Sequence, residues 1–217
     1  MAEQLSFEGF EPGGKRKRPP QPGAKPGFGG EDEHGFFLAL RPTEEMLDAF
    51  EQLAQRLRGE HGLKAGPRPK ELFHVSLFSL GRYEGPQEEA DQLIARVLAA
   101  AATVHCRAFA ARFDRVMSFG RGAHAKPLVA VGGEGLMALA TFRETLGDTL
   151  KQAGLQIAAQ AHFKPHLTLL YDRGSVPEQA VAPIQWTVRE FFLIHSRIGQ
   201  SRHEVLGRWP LEMAASS

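Results

Sequence analysis

From His34 onward the apolar positions alternate between a strand-like and a helix-like period. Gly35 to Arg41 (GFFLALR) is a short apolar run of strand type, followed by Pro42 and by Thr43, which stands where a helix cap is expected. The helix predicted from there to about Arg58 puts Met46, Leu47, Phe50, Leu53 and Leu57 on one face. Leu72 to Leu80 (LFHVSLFSL) has strand length and β-branched or aromatic content, and Gln87 to about Ala102 has the helix period. Arg107 to Phe119 and Pro127 to Val131 read as a hairpin around the turn at Gly120 to Ala125. A helix from about Leu136 to Ala153, a strand at His166 to Tyr171, and two late strands near Gln185 to Ser196 and Glu204 to Pro210 complete the set. The expectation is roughly four helices and seven strands in mixed order.

The first 33 residues stand outside this pattern. Glu11 to Gly30 holds six glycines and five prolines around the cluster Lys15, Arg16, Lys17, Arg18. Such a segment has no apolar area to bury and is read as a disordered basic tail, either an RNA-binding arm or a solubilising leader. The remaining chain, 34–217, is long enough for a sizeable core without disulfides or metal, with 42% hydrophobic residues overall. Its single cysteine, Cys106, has no bridge partner and no zinc-type spacing around it, which points to a reducing compartment. The opening MAEQLSFEGF lacks a signal pattern, and the apolar run Val97 to Ala102 is far short of a membrane span, so a cytoplasmic protein off the membrane is expected. With 26 Lys and Arg against 25 Asp and Glu, the formal charge of +1 excludes a global electrostatic grip on a polyanion, leaving local contacts only.

Sliding the chain against itself brings out a repeat at an offset of 92 residues, without gaps. Phe36 to Leu40 falls on Leu128 to Gly132, Leu47 and Phe50 on Leu139 and Phe142, and Gly62-Leu63 on Gly154-Leu155. A glycine near each helix C-terminus suits a left-handed residue there. The match ends with His74-Val75-Ser76-Leu77 on His166-Leu167-Thr168-Leu169. Two related lobes, each offering a histidine and a hydroxyl, are the expected architecture.

In a strand, residues i and i+2 share a face, so His74 and Ser76 point one way while Phe73, Val75 and Leu77 point the other; His166 and Thr168 behave alike. Two imidazoles across a cleft suit proton relay near pH 7, one taking a proton from an attacking oxygen and the other giving one to a leaving oxygen. Serine and threonine hydroxyls can donate to the nonbridging oxygens of a phosphate. No metal is required by such a site.

The two elements, in FHVSLFSLG and FKPHLTLLYD, resemble the paired motifs of the two-histidine (2H) phosphoesterase superfamily, in particular its bacterial 2'-5' RNA ligase-like branch. The resemblance runs from about Gly35 to Leu211. It implies an α+β, bilobal duplicated fold in which two mostly antiparallel sheets, flanked by helices, face a central cleft. It further implies hydrolysis, or reverse ligation, at 2',3'-cyclic phosphates or 2'-5' linkages. Under it His74 is the proton donor, His166 the acceptor, and Ser76 and Thr168 the phosphate-binding hydroxyls; serine stands where many relatives have threonine. The two sites are interchangeable on the residues alone, so the donor and acceptor roles rest on the resemblance. The expected partner is an RNA end or a small cyclic-phosphate nucleotide held by a monomer without cofactor, and a non-catalytic nucleotide-binding module using the same cleft is the alternative.

Other residues admit two readings. Lys164 either meets a phosphate or is a solvated strand-end lysine, and Phe78 either stacks on a base or belongs to the core. Arg121, His124 and Lys126 either bind a nucleic-acid backbone or form an ordinary hairpin tip. His34, His61, His105, His162, His195 and His203 have no counterpart in the repeat and are expected to be structural or on the surface. The run VGGEG at Val131 to Gly135 fits neither a dinucleotide-binding nor a P-loop spacing and reads as a tight turn.

Overall fold

A computed structural model of the chain describes residues 33–83, 87–120, 122–157, 163–198 and 202–213. The expected tail, Arg121 and His162 lie outside these residues, Glu33 excepted. Three α-helices form where the 3.6 period runs: α1 (Glu44–Glu60), α2 (Gln87–Ala101) and α3 (Met137–Gln152). The strands are β1 (Glu33–Leu40), β2 (Val75–Tyr83), β3 (Phe109–Ser118), β4 (Lys126–Val131), β5 (Leu167–Asp172), β6 (Gln179–Val188), β7 (Glu190–Ile198) and β8 (Arg202–Pro210). The described residues thus hold three α-helices and eight strands, against the four and seven expected. The extra strand arises at Arg189, where the apparently continuous run Gln185 to Ser196 breaks into β6 and β7, which lie far apart in the sheet; the three α-helices are those at the three helix-period stretches, and the described residues hold no fourth. Thr43 occupies the N-cap of α1 with extended backbone, yet its side chain makes no capping bond; Glu44 and Glu45 face the positive end of the helix instead.

The sheet order is β6-β3-β4-β5-β2-β1-β7-β8, and every pairing between these strands is antiparallel. Its middle is narrow. Strands β2 and β5 meet at one pair, Val75 opposite Leu167, so the sheet is two four-stranded halves joined at a seam. Those two residues are also separated by the repeat offset, which puts them on the pseudo-twofold axis. Continuing the antiparallel register by one residue on either side sets Ser76 across from His166 and His74 across from Thr168.

Finer details repeat as well. Beyond α1, Leu63 N–H donates to Arg58 O (3.0 Å) and Gly62 N–H to Gly59 O; beyond α3, Leu155 N–H donates to Leu150 O (3.0 Å) and Gly154 N–H to Lys151 O. Both are Schellman caps, and both need a left-handed residue, met by Gly62 at φ 61° and Gly154 at φ 72°. Each motif strand also carries an extra residue just past its hydroxyl. The register slips between the Ala39–Ser76 and Leu38–Phe78 pairs, bulging β2 at Leu77, and between Val129–Thr168 and Leu128–Leu170, bulging β5 at Leu169. The bulge carbonyls find donors in different ways: Leu77 O accepts from the Arg143 Nε at 2.9 Å, Leu169 O from the Arg68 backbone N–H at 2.8 Å.

The helices cover one face of the sheet. Phe50 of α1 meets Phe113 and Trp186 edge-on, with ring centroids 5.7 and 6.1 Å away, and Val75, Leu77, Leu167 and Leu169 join the same core with 2% exposure or less. Full burial of such side chains contributes about 1.5–3 kcal/mol each. The opposite face carries a small apolar patch, Phe37, Ala39, Phe192 and Ile194, beside the seam.

Candidate functional site

His74 leaves a short 3-10 turn, Lys70–Leu72, and is fixed by its neighbours: Phe73 and Val75 are fully buried on the core side, which turns the imidazole to the open face. Its Nδ1 lies 2.8 Å from the Leu72 carbonyl. A carbonyl only accepts, so Nδ1 carries the hydrogen and Nε2 is the bare nitrogen. The Ser76 hydroxyl, 3.0 Å away, donates to that Nε2. His166 repeats the arrangement, with Nδ1 2.9 Å from the carbonyl of Lys164, again two residues back. Pro165 lies between, and its ring holds φ while removing a donor from the strand start. Two imidazoles, each anchored through Nδ1 to the carbonyl two residues back, therefore flank the seam.

Their surroundings are unequal. Burial drives the pKa of His74 down to about 3, with His203, Arg68 and His166 pushing the same way against the Leu72 carbonyl. Burial also lowers His166, with the Lys164 ammonium adding to it while the Lys164 carbonyl opposes. Phe37 lies against His74 (centroids 4.7 Å apart), and Phe119 meets His166 edge-on at 5.0 Å.

Of the residues singled out in the sequence, His74, Ser76, His166 and Thr168 come together at the seam, Thr168 by its register opposite His74. Lys164 is exposed beside His166, with its Nζ 3.1 Å from Met117 Sδ and 5.7 Å from the Phe119 ring centroid. Phe78 does not line the cleft. The bulge at Leu77 reverses the alternation, and Phe78 is 6% exposed in the core, with the Arg143 guanidinium 4.3 Å from its ring centroid. His124 is exposed on the hairpin tip, while Lys126 belongs to β4 opposite Asp172.

His203, which the repeat leaves without a counterpart, lies beside the motif histidine: its ring is 5.3 Å from that of His74 and 5.3 Å from Phe37. Burial, then Arg68 and Arg41, lower its pKa to about 4. The repeat gives no signal for it, because β8 has no sequence counterpart in the other half; its ring contacts with His74 and Phe37 place it near the seam. His34 and His195 form a buried pair at 2.6 Å, His61 meets Gln179, and His105 meets Glu212. Among the described residues no three His, Cys, Asp or Glu side chains are placed to hold a metal ion, and no helix is long and apolar enough to cross a membrane.

Known proteins bear on this geometry. The structure is similar to that of Escherichia coli LigT complexed with 3'-AMP, with a TM-score of 0.61 at 20% identity over 83% of this chain and 99% of that one. It is similar to TT0787 of Thermus thermophilus, with a TM-score of 0.56 at 26% identity over 81% and 97% of the two chains. No curated protein matches it in sequence. The family profile of the 2'-5' RNA ligase superfamily matches residues 43–199, which include both His-x-hydroxyl elements, all three helices and the seam. The α+β fold implied by the motifs is the observed one, with the two expected sheets joined through Val75 and Leu167 into a single eight-stranded sheet, and the chain belongs to the 2'-5' RNA ligase superfamily of two-histidine phosphoesterases.

Proposed function

We propose that the chain is a metal-independent phosphodiesterase that opens 2',3'-cyclic phosphates on nucleotides or RNA ends. The observation that carries this reading is the pair of Nδ1-anchored imidazoles at the seam, His74 with its Nε2 beside the Ser76 hydroxyl and His166 with Thr168 two residues farther along its strand. His166, neutral and half-buried, removes the proton from an attacking water at its Nε2. The water oxygen bonds to phosphorus, the bond to one ribose oxygen breaks, and that oxygen takes a proton from Nε2 of His74. The 5'-hydroxyl of a second ribose in place of water, with O3' leaving, gives 2'-5' ligation by the same proton path.

The low pKa of His74 means that it enters the cycle neutral at pH 7. Its proton arrives with the anionic substrate, whose charge favours the imidazolium. Once Nε2 is protonated it can no longer accept from Ser76, and the freed hydroxyl turns, with that of Thr168, to the nonbridging oxygens. Substrate binding is thus coupled to proton uptake, and affinity weakens as pH rises. LigT has been crystallised with 3'-AMP and with phosphate, ligands of the kind this site would hold.

The test is hydrolysis of a 2',3'-cyclic nucleotide in EDTA. His74→Ala and His166→Ala should each lower kcat/KM by about a hundred- to ten-thousand-fold. Unchanged rates in either variant would defeat the assignment, and tight binding without any product would favour the binding module.

A further inference from the structure

Three side chains from three segments lie within electrostatic reach of one another on the β8 side of His74. Arg41 follows β1, Arg68 lies in the loop between α1 and β2, and His203 is the second residue of β8. Arg68 is held at both ends: its backbone N–H donates to the Leu169 carbonyl, and its guanidinium lies 5.4 Å from the Tyr171 ring centroid. Its Nε is buried and has no acceptor. A buried donor without an acceptor costs about 1–3 kcal/mol, which a fold tolerates where a ligand supplies the missing atom. Among the described residues no carboxylate pairs with Arg41 or Arg68, whereas Arg197 and Arg202 share Glu204 and Arg208 holds Glu190. Both uncompensated guanidiniums act on His203, and Arg68 acts on His74 as well. The Phe37 ring spans the two imidazoles, 4.7 Å from His74 and 5.3 Å from His203.

We propose that Arg41, Arg68 and His203 form a second phosphate subsite, which takes the 5'-phosphoryl group of the nucleoside whose 2',3'-phosphate lies between His74 and His166. The assignment rests on the function proposed above and names its substrate class: ribonucleotides phosphorylated on both sides of the sugar. The phosphate nearest a 2',3'-cyclic phosphate is the one on O5' of the same ribose. The His74 and His203 rings are in edge contact, with centroids 5.3 Å apart, so groups held over the two are neighbours, and the Phe37 ring against both gives the sugar that joins them an apolar floor. Guanidinium forks suit phosphate oxygens two at a time. A terminal 5'-phosphate and the internucleotide phosphate of an RNA end share this chemistry.

Calorimetric titration separates the possibilities without relying on turnover. The probes are adenosine 2'-monophosphate, adenosine 2',5'-bisphosphate, and a diadenosine dinucleotide whose 3'-terminal sugar carries a 2'-phosphate. The bisphosphate should bind about tenfold or more tightly than the monophosphate. Arg68→Gln, and separately Arg41→Gln, should bring the two to within about twofold, while Lys151→Gln on the exposed face of α3 keeps the difference. A gain for the dinucleotide equal to that of the bisphosphate supports the subsite with RNA as the source; a gain for the bisphosphate alone supports it with a nucleotide's own phosphate. Equal affinities in the unmodified protein, or equal weakening of both nucleotides in Arg68→Gln, overturn the subsite and leave the two-histidine reading standing. Binding of none of the probes overturns both.

Discussion

In one half of the sheet His74 is enclosed by Ser76, Phe37, His203 and the field of Arg68; in the other, the equivalent His166 faces the edge of Phe119 and the Lys164 ammonium. The backbone treats them alike, with the same carbonyl two residues back, the same bulge beyond the hydroxyl and the same cap on the preceding helix. What the repeat preserves is therefore main-chain geometry, and what it releases is the company each imidazole keeps. Unequal company gives unequal proton affinity, which acid–base catalysis by a chemically identical pair requires.

The halves differ most in how the bulges are held. Arg143→Met keeps apolar contact with Phe78 and Phe163 but leaves the Leu77 carbonyl without its donor, and should cost about 2–3 kcal/mol. In thermal unfolding that is a Tm lower by roughly 4–12 °C. The bulge at Leu169 is held by main chain and has no side chain to remove, so a loss below about 0.5 kcal/mol in Arg143→Met would erase the contrast.

Acid sensitivity should also be unevenly shared. His74 is held neutral in the fold with a pKa of about 3, while the unfolded chain takes up its proton near pH 6.5. Stability contributed by the neutral group is complete above about pH 6.5 and declines as pH falls below it, at up to about 1.4 kcal/mol per pH unit. From pH 6.5 to 5 His74 accounts for about 2 kcal/mol. Urea unfolding at the two pH values should show that His74→Gln removes more of this decline than His166→Gln; the reverse order would mean the enclosures have been assigned the wrong way round.

The smallest effect sharpens the likeness. Gly62→Ala and Gly154→Ala each force a side chain to positive φ, where Cβ meets nothing within 4 Å at Gly62 and only Arg96 Nη2 at 3.4 Å at Gly154. Each should cost about 1 kcal/mol in chemical denaturation, the two agreeing within about 0.5.

The 92-residue repeat made much of this readable before any coordinates. It located both motif strands, α1 and α3, and the paired left-handed glycines, because local periodicity and a cap residue are written in contiguous sequence. Phe78 was not readable in that way. Its side depends on a bulge, and a bulge exists only relative to the partner strand. His203 was missed for the same reason at longer range, since β8 reaches His74 only through β7 and β1. The break at Arg189 hid inside an uninterrupted strand-like run, and the two strands it separates part company through tertiary pairing rather than local propensity.

The seam at Val75 and Leu167 acts as a fulcrum. Any rocking of one four-stranded half against the other moves points in proportion to their distance from that joint. His74, Ser76, His166 and Thr168 sit within one residue of it and are displaced least, whereas strand ends far from it travel farthest. The proton transfers proposed above, which tolerate little error in distance, would thus fall where the lever arm is shortest, and the rims, where a substrate would enter, lie where it is longest.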